Sequence, residues 1–203
     1  IAVPAQIAVI SVDDDPTICE NTQPTLSSIL PDFERGGYLA DYVDANGQNV
    51  DVRPNMIYAI WVKYSPVDEE LAPSILRVVD NELVTARGIR TLSPRDIKYK
   101  GVYEGTQLER DLAYHQGCTR PFLLEPYVAV CFDVKGPAFW KKAEWLIEGF
   151  FEDLNKHGVG AFSELYDGDP PHEPHGAISA ACSTAALMRC MYLMDKYSKE
   201  GGR

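Results

Sequence analysis

The 203-residue sequence has no apolar run approaching the ~20 residues a membrane-spanning helix needs, and no low-complexity tract. It has no surplus of positive charge. A formal net charge of -11 argues against binding to a phosphate backbone, which requires neutralising cations. It has no CxxC pair, and its five cysteines (Cys19, Cys118, Cys131, Cys182 and Cys190) are odd in number. Neither a disulfide framework nor a zinc knuckle follows from that pattern, and the cysteines read as reduced residues in apolar runs, which favours a reducing, cytoplasmic setting. Neither an initiator methionine nor a basic leader opens "IAVPAQIAVI", so the chain reads as a segment starting inside a larger fold.

What is present is a globular composition, 45% hydrophobic and 24% charged, long enough to bury one core. "IAVPAQIAVISV" and "PTLSSILPDF" are short helical candidates broken by prolines. "GGYLADYVDANGQNVD" fits a short strand and a loop turning at "ANG". "RPNMIYAIWVKYS" sets Met56, Ile57, Ile60, Trp61 and Tyr64 on one helical side behind Pro54. "VDEELAPSILRVVDNELVT" repeats Leu71, Ile75, Val78, Val79 and Leu83 at helical spacing, with an acidic first turn and Gly88 after its end. "GIRTLSPRDIKYKGVYEG" reads as extended segments and turns, and "YHQGCTRPFLLEPYVAVCFDV" as a helix limited by Pro121 and Pro126. "GPAFWKKAEWLIEGFFEDLNKHG" carries the stripe Phe139, Ala143, Leu146, Ile147, Phe150 and Leu154, closed by Gly158. "AISAACSTAALMRCMYLMDKY" forms a last helix of small residues and methionines. The pattern predicts an all-α protein of stacked helical hairpins, with short strands in the connections and the chemistry carried there.

The loop "SELYDGDPPHEPHG", Ser163 to Gly176, concentrates Glu164, Asp167, Asp169 and Glu173 with His172 and His175. A calcium loop starting at Asp167 fails, because proline and histidine fall where a ligand and the glycine belong. Pro170, Pro171 and Pro174 exclude the regular helix that would place both histidines on one zinc, so no metal is expected. Two readings remain open from the residues: a solvated connector, or one half of a carboxylate pair for glycoside hydrolysis. In the second, Glu164 lies against Phe162 and Tyr166, and desolvation raises its pKa.

Taken in order, "GYLADYVD", "VRPN", "ELVTARGIRTLSP", "YKGVYEG", "RDLAYHQG" and "SELYDGDPPHEPHGAIS" resemble the C-terminal amylo-α-1,6-glucosidase domain of bacterial and archaeal glycogen debranching enzymes, from about Phe33 to Tyr197. The resemblance implies that residues 1–203 are the C-terminal portion of a single (α/α)6 toroid of the six-hairpin glycosidase type, residues 1–32 being a weakly matched, incomplete N-terminal edge. It implies inverting hydrolysis of α-1,6-linked glucose stubs on a branched α-glucan, without cofactor or metal. Glu164 takes the place of the general base, with Asp167 and Asp169 as alternates or orienting neighbours. Tyr114, His115, Gln116, Arg53, Asn55 and Asp111 fall at sugar-contacting or site-facing positions. The implied partners are the glucan and the rest of the toroid, with neither nucleic acid nor membrane.

The family's general acid belongs to a "TWMDA"-like segment that this sequence does not contain, so the chain alone is expected to be inactive. The family pattern "HQGTVWPWLLG" reads "HQGCTRPFLLEP" here, with Arg120 and Phe122 in place of tryptophans and Glu125 in place of glycine, and "QAWS" reads "AACS" at Ala180 to Ser183. Lost aromatic platforms keep a second class in view, a non-catalytic glucan-binding or interaction module on a degenerate scaffold.

Overall fold

The structure, a computed structural model, describes residues 32–200. The helical candidate "IAVPAQIAVISV", all but the last two residues of "PTLSSILPDF", and Cys19 lie outside them. About half of the described residues are helical: α1 (Asn55–Trp61), α2 (Ala72–Glu82), α3 (Gln107–His115), α4 (Leu124–Lys135), α5 (Trp140–Phe151) and α6 (Ala181–Glu200). Strands of two or three residues fill the connections, where the sequence reading placed short strands. Two are hairpins, β1 (Glu34–Arg35) with β2 (Tyr38–Leu39) and β3 (Val43–Asp44) with β4 (Gly47–Gln48), the second turning at the anticipated "ANG".

The hydrophobic core forms around α4. It packs on α1, α2 and α6, and buries Leu124, Tyr127, Val128, Val130, Cys131 and Phe132, an apolar surface nearly all round that suits a central helix. Pro126 is tolerated because it sits in the first turn, where its missing N–H has no intrahelical partner. From α2 come Ile75, Leu76 and Val79, and from α5 Ala143, Leu146, Ile147 and Phe150, matching the spacing of their apolar positions. The α1 stripe is narrower than its sequence suggests. Met56, Ile57 and Ala59 are buried, whereas Trp61 keeps 39% of its surface exposed and Tyr64 lies beyond the helix end.

Some boundaries differ from the sequence reading. The acidic residues before α2 lie outside its first turn; there Asp68 accepts hydrogen bonds from the N–H groups of Glu70 and Leu71. The stretch 136–155 is not one helix, because 3-10 turns at Gly136–Phe139 and Glu152–Asn155 flank α5. The largest difference is α3, most of which falls between the segments read at 88–105 and from Tyr114, where the sequence reading placed no element. Its start is a capping box, with the Thr106 hydroxyl accepting from Glu109 N–H and the Glu109 carboxylate accepting from Thr106 N–H.

A polar clip joins three helices. Asp80 of α2 accepts from the buried Tyr127 hydroxyl of α4 at 2.5 Å, and pairs with Lys135 and Lys142, each at 3.0 Å. Burial opposes the Asp80 charge, but the hydrogen bonds from Tyr127, Lys135 and Lys142 prevail and hold its carboxyl below the usual range. Elsewhere on the helices, Trp145 and Phe151 of α5 and Met188, Met191 and Tyr192 of α6 remain exposed.

A five-stranded antiparallel meander positions the loops: β5 (Val84–Thr85), β6 (Gly88–Arg90), β7 (Thr119–Arg120), β8 (Leu165–Tyr166) and β9 (Pro174–His175). Arg120 lies opposite Ile89, Thr119 opposite Tyr166, and Leu165 opposite His175. This ladder brings the segment after α3 beside the acidic loop.

Candidate functional site

Glu164 immediately precedes β8. Its N–H donates to the Ala177 carbonyl at 3.0 Å, and Ala177 N–H returns a bond to Glu164 Oε2 at 3.0 Å. Together with β8–β9 pairing and the Asp167 N–H to Glu173 carbonyl bond, this closes the acidic loop at its neck. Gly176, at φ +72°, lets the backbone pass beneath the carboxylate; a Cβ there would lie 2.7 Å from Glu164 Oε2.

The other carboxylate oxygen is held from across the sheet. Glu164 Oε1 accepts from the Tyr114 hydroxyl at 2.6 Å and from Arg120 at 3.3 Å. The Arg120 guanidinium also stacks on the Tyr114 ring, 3.4 Å from its centroid. Arg120 is nearly enclosed, at 7% side-chain exposure, while the Glu164 side chain keeps 33%. The Tyr114 hydrogen bond, the Ala177 N–H and the Arg120 charge outweigh partial burial and hold the Glu164 carboxyl below its ordinary range. This reverses the expectation of a desolvated, raised carboxyl. The aromatic groups thought to desolvate Glu164 face elsewhere: Phe162 and Tyr166 both meet Phe150 in the core.

Asp167 and Asp169 are built into the loop's support. Asp167 is buried, and its Oδ1 accepts from Tyr103 N–H at 2.8 Å. The same oxygen lies 3.0 Å from His175 Nε2, a close contact without the alignment of a hydrogen bond. Asp169 accepts from the Tyr99 hydroxyl at 2.9 Å; burial first, then this bond, push the Tyr99 phenol up. His172 turns back on the loop, its Nδ1 lying 2.8 Å from the Asp167 carbonyl. The two aspartates therefore fasten the acidic loop to residues 99–103.

Beside Glu164, α3 ends in "YHQG". Tyr114 meets the carboxylate through its hydroxyl, and its ring meets exposed His115 edge-on at 4.9 Å. Arg53 organises the turn that follows, donating to the His115 carbonyl and to Gln116 Oε1, each at 2.8 Å. It also reaches the Thr91 carbonyl at 3.1 Å and Asp51 at 3.3 Å, with Asp41 at 3.6 Å from its Nε. Asn55 joins this cluster at its edge, donating to Asp41 at 2.6 Å. Asp111 lies on the exposed side of α3. It accepts from Gln107 at 2.9 Å, and Arg110 also turns to Gln107 and to the Gly105 carbonyl, so Arg110 and Asp111 engage Gln107 separately.

Arg120 is the site residue that sequence reasoning missed, having been read only as a lost tryptophan. A cation inside the apolar stretch "CTRPFLLEP" was the available signal, because an enclosed guanidinium needs a carboxylate. Another departure is also paired: Glu125 meets Arg189 of α6 at 3.2 Å.

Among the described residues no helix is long and apolar enough to cross a membrane. No curated protein sequence matches the chain. Residues 13–189 match the family model described as amylo-alpha-1,6-glucosidase.

Proposed function

Because the chain belongs to the amylo-alpha-1,6-glucosidase family, we propose that it contributes the water-activating half of a glycogen-debranching glucosidase site. Glu164 is the general base. Its lowered pKa keeps it ionised at neutral pH, and its exposed third leaves room for a water to approach. The carboxylate takes a proton from that water as the oxygen attacks the anomeric carbon of an α-1,6-linked glucose. A carboxylic acid about 6.5–9.5 Å away protonates the departing glycosidic oxygen, so the configuration inverts. That acid comes from a segment upstream, as part of the rest of an (α/α)6 toroid. The exposed apolar residues of α5 and α6 suit such further packing.

In this reading Tyr114, His115 and Gln116 line the glucose subsite, with Arg53 and Asn55 fixing that wall and Asp111 at its outer edge. Asp167 and Asp169 orient the loop that carries the base. The observation carrying the proposal is the convergence of three donors on a solvent-reaching Glu164 beside "YHQG". One observation favours a second reading, a glucan-binding module without catalysis: the Arg120 pair weakens Glu164 as a base.

Glucose release from a branched limit dextrin by the intact protein separates the two. Glu164→Gln should lower release by about 10²–10⁴-fold, the usual worth of a positioned acid or base. Undiminished release from that variant would refute Glu164 as the base. A wild-type protein that binds the dextrin but frees no glucose supports the module.

A further inference from the structure

The two oxygens of Glu164 are not equivalent. A carboxylate oxygen offers about two acceptor directions. Oε1 receives both Tyr114 and Arg120, which fills it, whereas Oε2 receives only Ala177 N–H. One acceptor direction therefore remains, on Oε2. The groups that set this division come from separate elements, Tyr114 from the end of α3, Arg120 from β7 and Ala177 from beyond β9. The nearby histidines are engaged elsewhere: His175 lies against Asp167, and His157 Nδ1 lies 2.6 Å from Ser163 Oγ.

We propose that Arg120 is a positioning residue for Glu164: wedged against the Tyr114 ring, it turns the carboxylate so that Oε2 alone faces the attacking water. The inference rests on Glu164 as base and adds which oxygen acts and what selects it. A guanidinium suits the task because its flat face stacks on an aromatic ring while its edge donates in plane. An ammonium supplies the charge without that geometry. Position and charge are therefore separable by substitution.

The test measures the Glu164 carboxyl directly, by 13C NMR titration of the intact protein labelled at glutamate Cδ, with Glu164→Gln identifying the signal. Glucose release is followed alongside. Arg120→Met should raise the Glu164 titration midpoint by about one pH unit, the low end of what a neighbouring opposite charge supplies. Arg120→Lys should keep the midpoint near that of the wild type but lower kcat about tenfold with KM little changed, the loss of one well-aligned contact. If Arg120→Met does not fold, Tyr114→Phe keeps the ring under Arg120 and removes one Oε1 donor; its midpoint should also rise. An unmoved midpoint in Arg120→Met, or in Tyr114→Phe where that variant stands in, overturns the clamp. So does full kcat in Arg120→Lys. A clamp that fails while Glu164→Gln still abolishes release leaves the base assignment standing. A midpoint that moves in a protein releasing no glucose supports the clamp and refutes the catalytic reading.

Discussion

Replacing Asp80 by alanine removes one acceptor that serves donors from two other helices, and the structure indicates which loss dominates. Tyr127 is fully buried, so its hydroxyl would be left without its Asp80 partner inside the core. Stranding such a group costs about 1–3 kcal/mol. Lys135 and Lys142 are each about one-third exposed and would regain water. After allowance for screening, each of those pairs is worth about 0–1 kcal/mol. Asp80→Ala should therefore cost about 1–5 kcal/mol, mostly through the hydroxyl. Asp80→Asn keeps an acceptor for Tyr127 and should cost about 1 kcal/mol. Tyr127→Phe removes the stranded donor itself and should also stay near 1 kcal/mol. Urea unfolding of the intact protein, followed by the fluorescence of Trp140 and Trp145 on α5, measures all three. If asparagine costs as much as alanine, the lysine pairs carry the clip and the dominance of the hydroxyl is refuted. It is refuted equally if added salt removes most of the alanine effect, since the cost of a stranded hydroxyl is not screened.

Gly176→Ala should lower glucose release at least tenfold while costing only about 1–2 kcal/mol of stability, because the added methyl meets the Glu164 carboxylate and the residue keeps a left-handed φ; an active variant would show that the carboxylate is not held by the loop neck. Stability should fall on acidification. Glu164 (hydrogen-bonded by Tyr114), Asp80 (bonded by Tyr127 and the lysines against burial) and Asp51 (paired with Lys98 and Arg53 against burial) all have lowered folded pKa values. Their contribution is complete above the unfolded carboxylate value of about 4 and is lost as pH drops through the folded values. Asp153, raised by burial despite Arg87, acts in the opposite sense, its contribution fading as pH rises. With Glu109, lowered by its hydrogen bonds to Thr106, four groups stand against one among the described residues and predict a lower urea midpoint at pH 3 than at pH 6; a flat or rising midpoint would contradict the balance.

The helices were legible wherever burial imposes a period. Ile75 and Val79 in α2, and Ala143, Leu146, Ile147 and Phe150 in α5, recur at helical spacing because each helix has one inward face. Short α3 offered no such face, with Ala113 its buried residue, so only Thr106 and Glu109 announced it. Strands of two residues are too short for alternation to register, and the meander stayed hidden. The motif order pointed to Glu164, but not to its state. Proximity to Phe162 and Tyr166 along the chain suggested desolvation, whereas the groups that set its charge arrive from 44 and 50 residues away. Sequence distance conceals such pairs because only the sheet register brings them together.

That register also limits what the acidic loop is by itself. Of the three donors that shape Glu164, the residue just after the loop supplies one, at Ala177; the other two reach it only after long stretches of chain have closed, each closure costing entropy that core packing must offset. Grafting residues 163–177 onto a foreign scaffold would transplant the acidic letters and one backbone amide, leaving the phenol and the guanidinium behind. The lowered Glu164 carboxyl is thus a property of the woven sheet, and a segment excised from it would carry an ordinary glutamate.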